Sequence, residues 1–179
     1  MHSAFCRSPA ETKYVAIELS ACVSLASKDT EIAGHDIRGV AFILEGNLPE
    51  AQKEADALVT LAPKLYFGKS LQAMIASAKG DRATAEAAIR SFEPDAMKNH
   101  WVAIRVARCY AKLGEQKPAL EWARRAVELG HHSWYEMVKH PWLAPLQADP
   151  EYQQELAAVK ADLDDVRDDV IGVYQLICK

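Results

Sequence analysis

The sequence predicts an all-α protein built from repeated helix-turn-helix units, and three observations support this fold class. Glycines Gly46, Gly80 and Gly114 recur every 34 residues. An alanine follows each glycine five positions later, at Ala51, Ala85 and Ala119. Apolar residues on both sides of each glycine recur at steps of three and four, which is the spacing of one helix face.

The repeated residue types suit a tight turn between two helices that pack against each other. A glycine ends the first helix because the chain turns there through a left-handed conformation that costs other residues free energy. An alanine in the second helix lets the two helices approach closely. Pro49 in a first helical turn and Asp81 as an N-cap are typical helix-start residues. Each unit is therefore expected to be a tight antiparallel hairpin.

A 34-residue unit of this kind resembles the tetratricopeptide repeat, whose motif has a small residue at position 8, an aromatic at 11, glycine at 15, alanine at 20 and proline at 32. Units starting at Ile32 and His100 match at Gly39, Phe42, Gly46, Ala51, Pro63, Ala107, Tyr110, Gly114 and Ala119. The middle unit, from Tyr66, keeps Ala73, Gly80 and Ala85, but Ala76 replaces the aromatic and Pro94 comes three residues early. The family's tryptophan at position 4 is replaced by His35, Lys69 and Ala103.

The resemblance implies a superhelix of stacked hairpins, and we expect a single domain over residues 1–179. Its expected parts are a half-repeat helix at 11–28, repeats at 32–65, 66–99 and 100–131, an irregular connection at 132–148 and a C-terminal helix at 149–177. A chain that opens on half a repeat is either naturally capped there or a fragment of a longer protein, and the sequence leaves both open.

The C-terminal helix carries a heptad pattern of apolar residues, which has two interpretations. Its stripe includes Leu156, Val159, Leu163, Val166 and Val170. The stripe either caps the exposed apolar end of the last repeat or pairs with a second copy in a homodimer. The preceding string from Trp142 to Tyr152 is similar to the tail of many bacterial tetratricopeptide regulators. That likeness implies a bacterial source and the end of the array.

The family binds extended or helical peptides on the inner face, which the first helix of each unit lines. The corresponding positions give apolar anchor sites at Val40, Ile43, Phe67, Met74 and Trp101, and cationic sites at Arg105, Arg108 and Lys112. Asp36 and Val40 replace the lysine and asparagine with which chaperone-binding members hold a terminal carboxylate. We therefore expect a partner protein or peptide with apolar anchors and an acidic group. Core packing and solvated surface charge are the alternative roles of these side chains.

Composition and motifs argue against several other classes. A net charge of −4 and a pI near 5.9 disfavour a nucleic-acid surface or an anionic-membrane surface. No apolar run has the length of a secretion signal or a membrane span, and the four scattered cysteines suggest reduced thiols in a cytoplasmic protein. His131, His132, Glu136 and His140 form the best polar cluster, but Pro141 disfavours one continuous helix through it. We therefore predict no catalytic residue, no metal and no cofactor.

Two functions follow from these expectations. The first is a protein-protein interaction module, not an enzyme, that binds its partner in the concave groove. The alternative is the C-terminal sensory or oligomerisation domain of a larger bacterial signalling protein or transcriptional regulator.

Overall fold

The fold was obtained as a computed structural model, which describes the backbone of residues 28–177 and the side chains of residues 30–164. Every described element is helical, and no strand occurs in this part of the chain, so the all-α prediction is confirmed. The predicted half-repeat helix at 11–28 lies outside the described residues except at its last position. Among the described helices, none is both long and apolar enough to cross a membrane.

The chain divides into two compact units, Met1–Phe92 and Glu93–Lys179. The described part of the first unit, residues 28–92, holds four α-helices: α1 Lys28–Glu45, α2 Leu48–Leu61, α3 Tyr66–Lys79 and α4 Arg82–Arg90. Each helix packs on the next one along the chain, and α1 also contacts α3. The α1/α2 and α3/α4 hairpins therefore stack side by side, with their first helices adjacent.

The repeated glycines make the same turn in each hairpin. Gly46, Gly80 and Gly114 have φ angles of 80°, 74° and 79°. In each turn the amide after the glycine donates to a carbonyl five residues back, as Glu115 N does to Tyr110 O at 2.9 Å. This 6→1 hydrogen bond defines the Schellman C-terminus of a helix. The repeat in the sequence is therefore a repeat in backbone geometry.

Small residues set the distance between neighbouring helices. Ala51, Ala85 and Ala119 are each 0% exposed. Gly39, at position 8 of the first unit, lies against Leu71, and a Cβ built on it would come within 2.3 Å of a Leu71 methyl carbon. Side chains larger than these would force the hairpin helices apart or displace their neighbours.

The second unit contains the third hairpin and the C-terminal elements. In chain order these are a 3₁₀ turn at Ala96–Lys98, α5 His100–Lys112, α6 Gln116–Glu128, α7 Trp134–Lys139, a 3₁₀ turn at Pro141–Leu146 and α8 Pro150–Ile177. The connection expected to be irregular, 132–148, thus contains a short helix and a 3₁₀ turn. Asp149 caps α8 through a 2.9 Å hydrogen bond from Glu151 N to its Oδ1, as its sequence position predicts.

The C-terminal elements pack on the third hairpin through one apolar core. Its buried members are Ala103, Ile104, Ala107, Ala111, Ala119, Ala123, Ala126, Met137, Leu143, Leu146, Tyr152, Leu156 and Val159. The carbonyl of Met137 accepts hydrogen bonds from Tyr152 Oη at 3.0 Å and from Gln147 Nε2 at 2.9 Å. The start of α8 is therefore held against α7.

The glycine turns give a direct stability prediction. A Cβ on Gly114 would meet no atom within 4 Å, so Gly114→Ala is expected to cost only the left-handed backbone penalty, about 1 kcal/mol. Gly114→Asn is the matched control and should cost less, because asparagine tolerates this conformation. Urea unfolding followed by circular dichroism measures both changes. An alanine variant as stable as the wild type would contradict the left-handed turn.

Candidate functional site

The eight residues predicted to line a groove are divided between the two units, four in each. In the first unit, Ile43 and Met74 belong to the core. Val40 and Phe67 are half-buried, and the Phe67 ring lies 4.3 Å from that of Tyr66. Of the four predicted apolar anchor sites in this unit, two therefore belong to the core and two are partly accessible.

In the second unit, the four predicted residues form one stripe along α5, because their spacings of four, three and four return to the same helix face. The middle of the stripe, Arg105 and Arg108, is buried. Its ends are exposed: Trp101 keeps 41% of its surface, and Lys112 extends over the Trp142 ring at 5.7 Å. The stripe is thus accessible only at its two ends.

The segment 131–146 of the same chain covers the middle of this stripe. Its apolar side chains Met137 and Leu143 pack in one core with Ile104 and Ala107 of α5. Its Glu136 pairs with Arg108. The position that the sequence assigns to a bound partner is therefore occupied by the chain's own apolar and acidic side chains.

Arg108 and Glu136 form a buried ion pair between α5 and α7. Arg108 is 3% exposed, and its guanidinium donates to Glu136 Oε1. Burial raises the pKa of Glu136, but the His131 imidazole and the Arg108 guanidinium outweigh it and lower the pKa to about 2. Glu136 is therefore a carboxylate at neutral pH and keeps the Arg108 charge paired.

Two histidines extend this pair into a row of polar side chains. The second carboxylate oxygen, Oε2 of Glu136, lies 3.4 Å from His131 Nε2. On its other side, His131 Nδ1 lies 3.3 Å from Nδ1 of His100, the first residue of α5. The Trp101 ring packs edge-on against His131 with centroids 5.3 Å apart. Burial, with the nearby His131 and His132, lowers the pKa of His100.

The polar cluster that the sequence suggested is rearranged in the structure. Helix α7 begins after His132 and ends before His140, so these two residues do not share a helix face with Glu136. His132 faces Asp162 of α8 at 3.5 Å, while His140 Nδ1 accepts from Trp142 N at 3.2 Å. No group of three or more metal-ligating side chains occurs among the described residues.

Sequence reasoning missed His100, although a signal for it exists. In the 34-residue register His100 is at position 1 and His131 at position 32, so they stand at the two free ends of one antiparallel hairpin. Because the two free ends of an antiparallel hairpin lie next to each other, the side chains of His100 and His131 come together. The pairing could have been read from the register.

Helix α8 differs between its first and middle turns. Leu156 and Val159 are buried in the core of the second unit, as a capping helix requires. Leu163, on the same stripe, is 42% exposed. The side chains of Val166 and Val170 lie outside the described residues, so the predicted dimer contact through them stays a prediction.

The buried ion pair predicts a pH-dependent loss of stability. The pKa of Glu136 is lowered from 4.5 to about 2, so the stability it supplies is present above pH 4.5 and lost as the pH falls toward 2. Glu136→Gln should destabilise the protein by about 3 kcal/mol at pH 7, because it leaves the Arg108 charge buried without its partner.

The loss of unfolding free energy in Glu136→Gln should be about 2 kcal/mol smaller at pH 3 than at pH 7, because at pH 3 this side chain is protonated in the unfolded wild type while the folded form keeps most of its charge. Urea unfolding at the two pH values measures this. Glu121→Gln, at an exposed position on α6, is the matched control and should change stability little at either pH. An equal difference at both pH values would contradict the assigned pair.

No protein-family model matches the chain, and no curated protein and no solved structure is significantly similar to it.

Proposed function

We propose that this chain is a protein-interaction module of the tetratricopeptide-repeat kind, which binds a segment of a partner protein. One observation carries the proposal. Three left-handed glycine turns, at Gly46, Gly80 and Gly114, recur every 34 residues, and each is followed five residues later by a fully buried alanine, as the family's motif requires. In the family, the first helices of such hairpins bind peptides.

The contact surface proposed in the second unit consists of the two exposed ends of the α5 stripe. Trp101 and Lys112 are eleven residues apart, which places them on one helix face about 16 Å apart. A half-exposed indole is a typical hot-spot side chain at protein interfaces. The partner would place an apolar side chain on Trp101 and an acidic one near Lys112. An extended segment spans that distance with about five residues.

The chemistry of the chain's own segment 131–146 supports this choice of partner. Met137 and Leu143 are apolar anchors, Glu136 is an acidic group, and all three contact α5 or its core. The inner face of α5 is therefore complementary to the type of segment that the sequence predicts as a ligand. Because Arg108 is already paired with Glu136, the partner's acidic group is assigned to Lys112.

The proposed contacts can be tested first by crosslinking. A photoreactive amino acid at position 101, introduced in the source organism, should capture a partner that the same amino acid at position 121, on exposed α6 surface, does not. Binding of the purified partner is then measured by calorimetry. Equal capture at the two positions would count against the surface.

Substitutions at the two ends should weaken partner binding to different degrees. Trp101→Ala is expected to cost at least about 2 kcal/mol, or roughly thirtyfold in Kd. Lys112→Glu should slow association and make binding less sensitive to salt, because exposed charges steer encounter. Lys117→Glu, an equal charge change on exposed α6, is the matched control. Unchanged Kd in Trp101→Ala with intact helicity would defeat the proposal.

A second candidate function, oligomerisation through α8, is favoured by the exposure of Leu163. This residue continues the stripe of Leu156 and Val159 beyond the core, where it is 42% exposed. Apolar heptad positions of this kind pair in coiled coils. If α8 pairs with a second copy, light scattering at tens of micromolar will give a dimer mass, and Leu163→Glu will give a monomer. A monomeric wild type would reject this candidate.

A further inference from the structure

The two histidines at the open end of the third hairpin have the spacing of metal ligands. His100 Nδ1 and His131 Nδ1 are 3.3 Å apart. Zinc binds imidazole nitrogen at about 2.0–2.1 Å in tetrahedral geometry, which separates two ligand nitrogens by roughly 3.3 Å. We propose that His100 and His131 bind a first-row divalent transition metal ion, such as zinc, through their Nδ1 atoms. This proposal does not rest on the proposed function, although Trp101 adjoins both histidines.

The surroundings of His131 favour the tautomer that a metal needs. Oε2 of Glu136, an atom of an ionised carboxylate, lies 3.4 Å from His131 Nε2. Its negative charge favours the tautomer of neutral His131 with the proton on Nε2, which leaves the Nδ1 lone pair toward His100. Carboxylates hold metal-binding imidazoles in this way in many metalloproteins. Arg108 in turn holds Glu136 in its charged form.

The pair matches imidazole-binding metals and not magnesium or calcium, which prefer oxygen ligands. His131 is 1% exposed, whereas His100 is half-buried and opens the site to solvent from the start of α5. Because no third metal-ligating side chain joins them in the described part of the chain, water completes the coordination. Two Nδ1–metal bonds form as the hydrated ion releases water ligands, and neutral His100 loses its Nδ1 proton to solvent and takes one up at Nε2.

A bound metal would fasten the beginning of α5 to the chain just after α6. These two points are 31 residues apart in the sequence and form the free ends of the hairpin. A ligand that binds only the folded form stabilises it in proportion to its occupancy. The metal would also lie beside the half-exposed ring of Trp101, whose centroid is 5.2 Å from that of His100.

Zinc titration of the tag-free full chain by calorimetry tests the site. The wild type should bind one zinc ion per chain at the pair. His100→Ala should weaken this binding at least about tenfold, because even loss of a residue that only supports a metal ligand costs about 10–100-fold. His132→Ala and His35→Ala are the matched controls, since neither side chain belongs to the pair, and they should bind as the wild type does.

An NMR measurement on the wild type gives a second readout that needs no substitution at buried His131. Zinc should shift the imidazole Nδ1 resonances of both histidines, leave the Nε2–H proton of His131 in place and bring a proton to Nε2 of His100. Absence of binding up to millimolar zinc overturns the proposal. The proposal is also overturned if His100→Ala leaves the zinc affinity unchanged. The same holds if His132→Ala weakens zinc binding as much as His100→Ala does. None of these results would bear on partner binding at Trp101, which is measured without metal.

Discussion

Close approach of the two helices in each hairpin is the constraint on which the described structure depends. The distance between packed helices is set by the smallest side chains at their contact, and here these are alanine and glycine. Ala51, Ala85 and Ala119 have no exposed surface. Between the first two hairpins, Gly68 of α3 lies so close to α2 that a Cβ would come within 2.7 Å of a Val59 methyl carbon. The glycine turn before each alanine lets the second helix return along the first. Sequence separation of 34 residues thereby becomes a regular spatial repeat within the first unit.

The buried Arg108–Glu136 pair then determines how the C-terminal segment lies on α5. Apolar contacts such as those of Met137 and Leu143 are non-directional, so they would tolerate a shift of the segment along the helix. A buried charge does not tolerate such a shift, because displacement from its partner leaves it desolvated and uncompensated. The pair therefore adds specificity to a contact whose favourable free energy comes mainly from apolar burial. His131 adds to this specificity, because its Nε2 lies 3.4 Å from the second oxygen of the same carboxylate.

The repeat could be predicted from the sequence because its signals are local: a left-handed glycine, an alanine at fixed spacing and helical apolar periodicity. The burial of Arg108 could not, since a helical stripe of cations is equally consistent with solvent and with a covering segment. What covers it lies 28 residues further on, in a segment where Pro141 and Pro145 obscure helical periodicity. The same limit applies to Met74, where a groove position in the register proves to be core. Inner-face positions tell which side a residue points to, but not whether another element lies over it.

The free energy of the covering segment bears on where a partner can bind. Met137, Leu143 and Leu146 are fully buried, and exposing them would cost about 6 kcal/mol at roughly 2 kcal/mol for each side chain. A partner with an intrinsic micromolar affinity gains about 8 kcal/mol, so displacing the segment would leave it a Kd of tens of millimolar. Binding at the uncovered ends avoids this cost. For the second unit, the free energy needed to expose the covering segment therefore favours a partner that contacts Trp101 and Lys112 and leaves the Arg108–Glu136 pair intact.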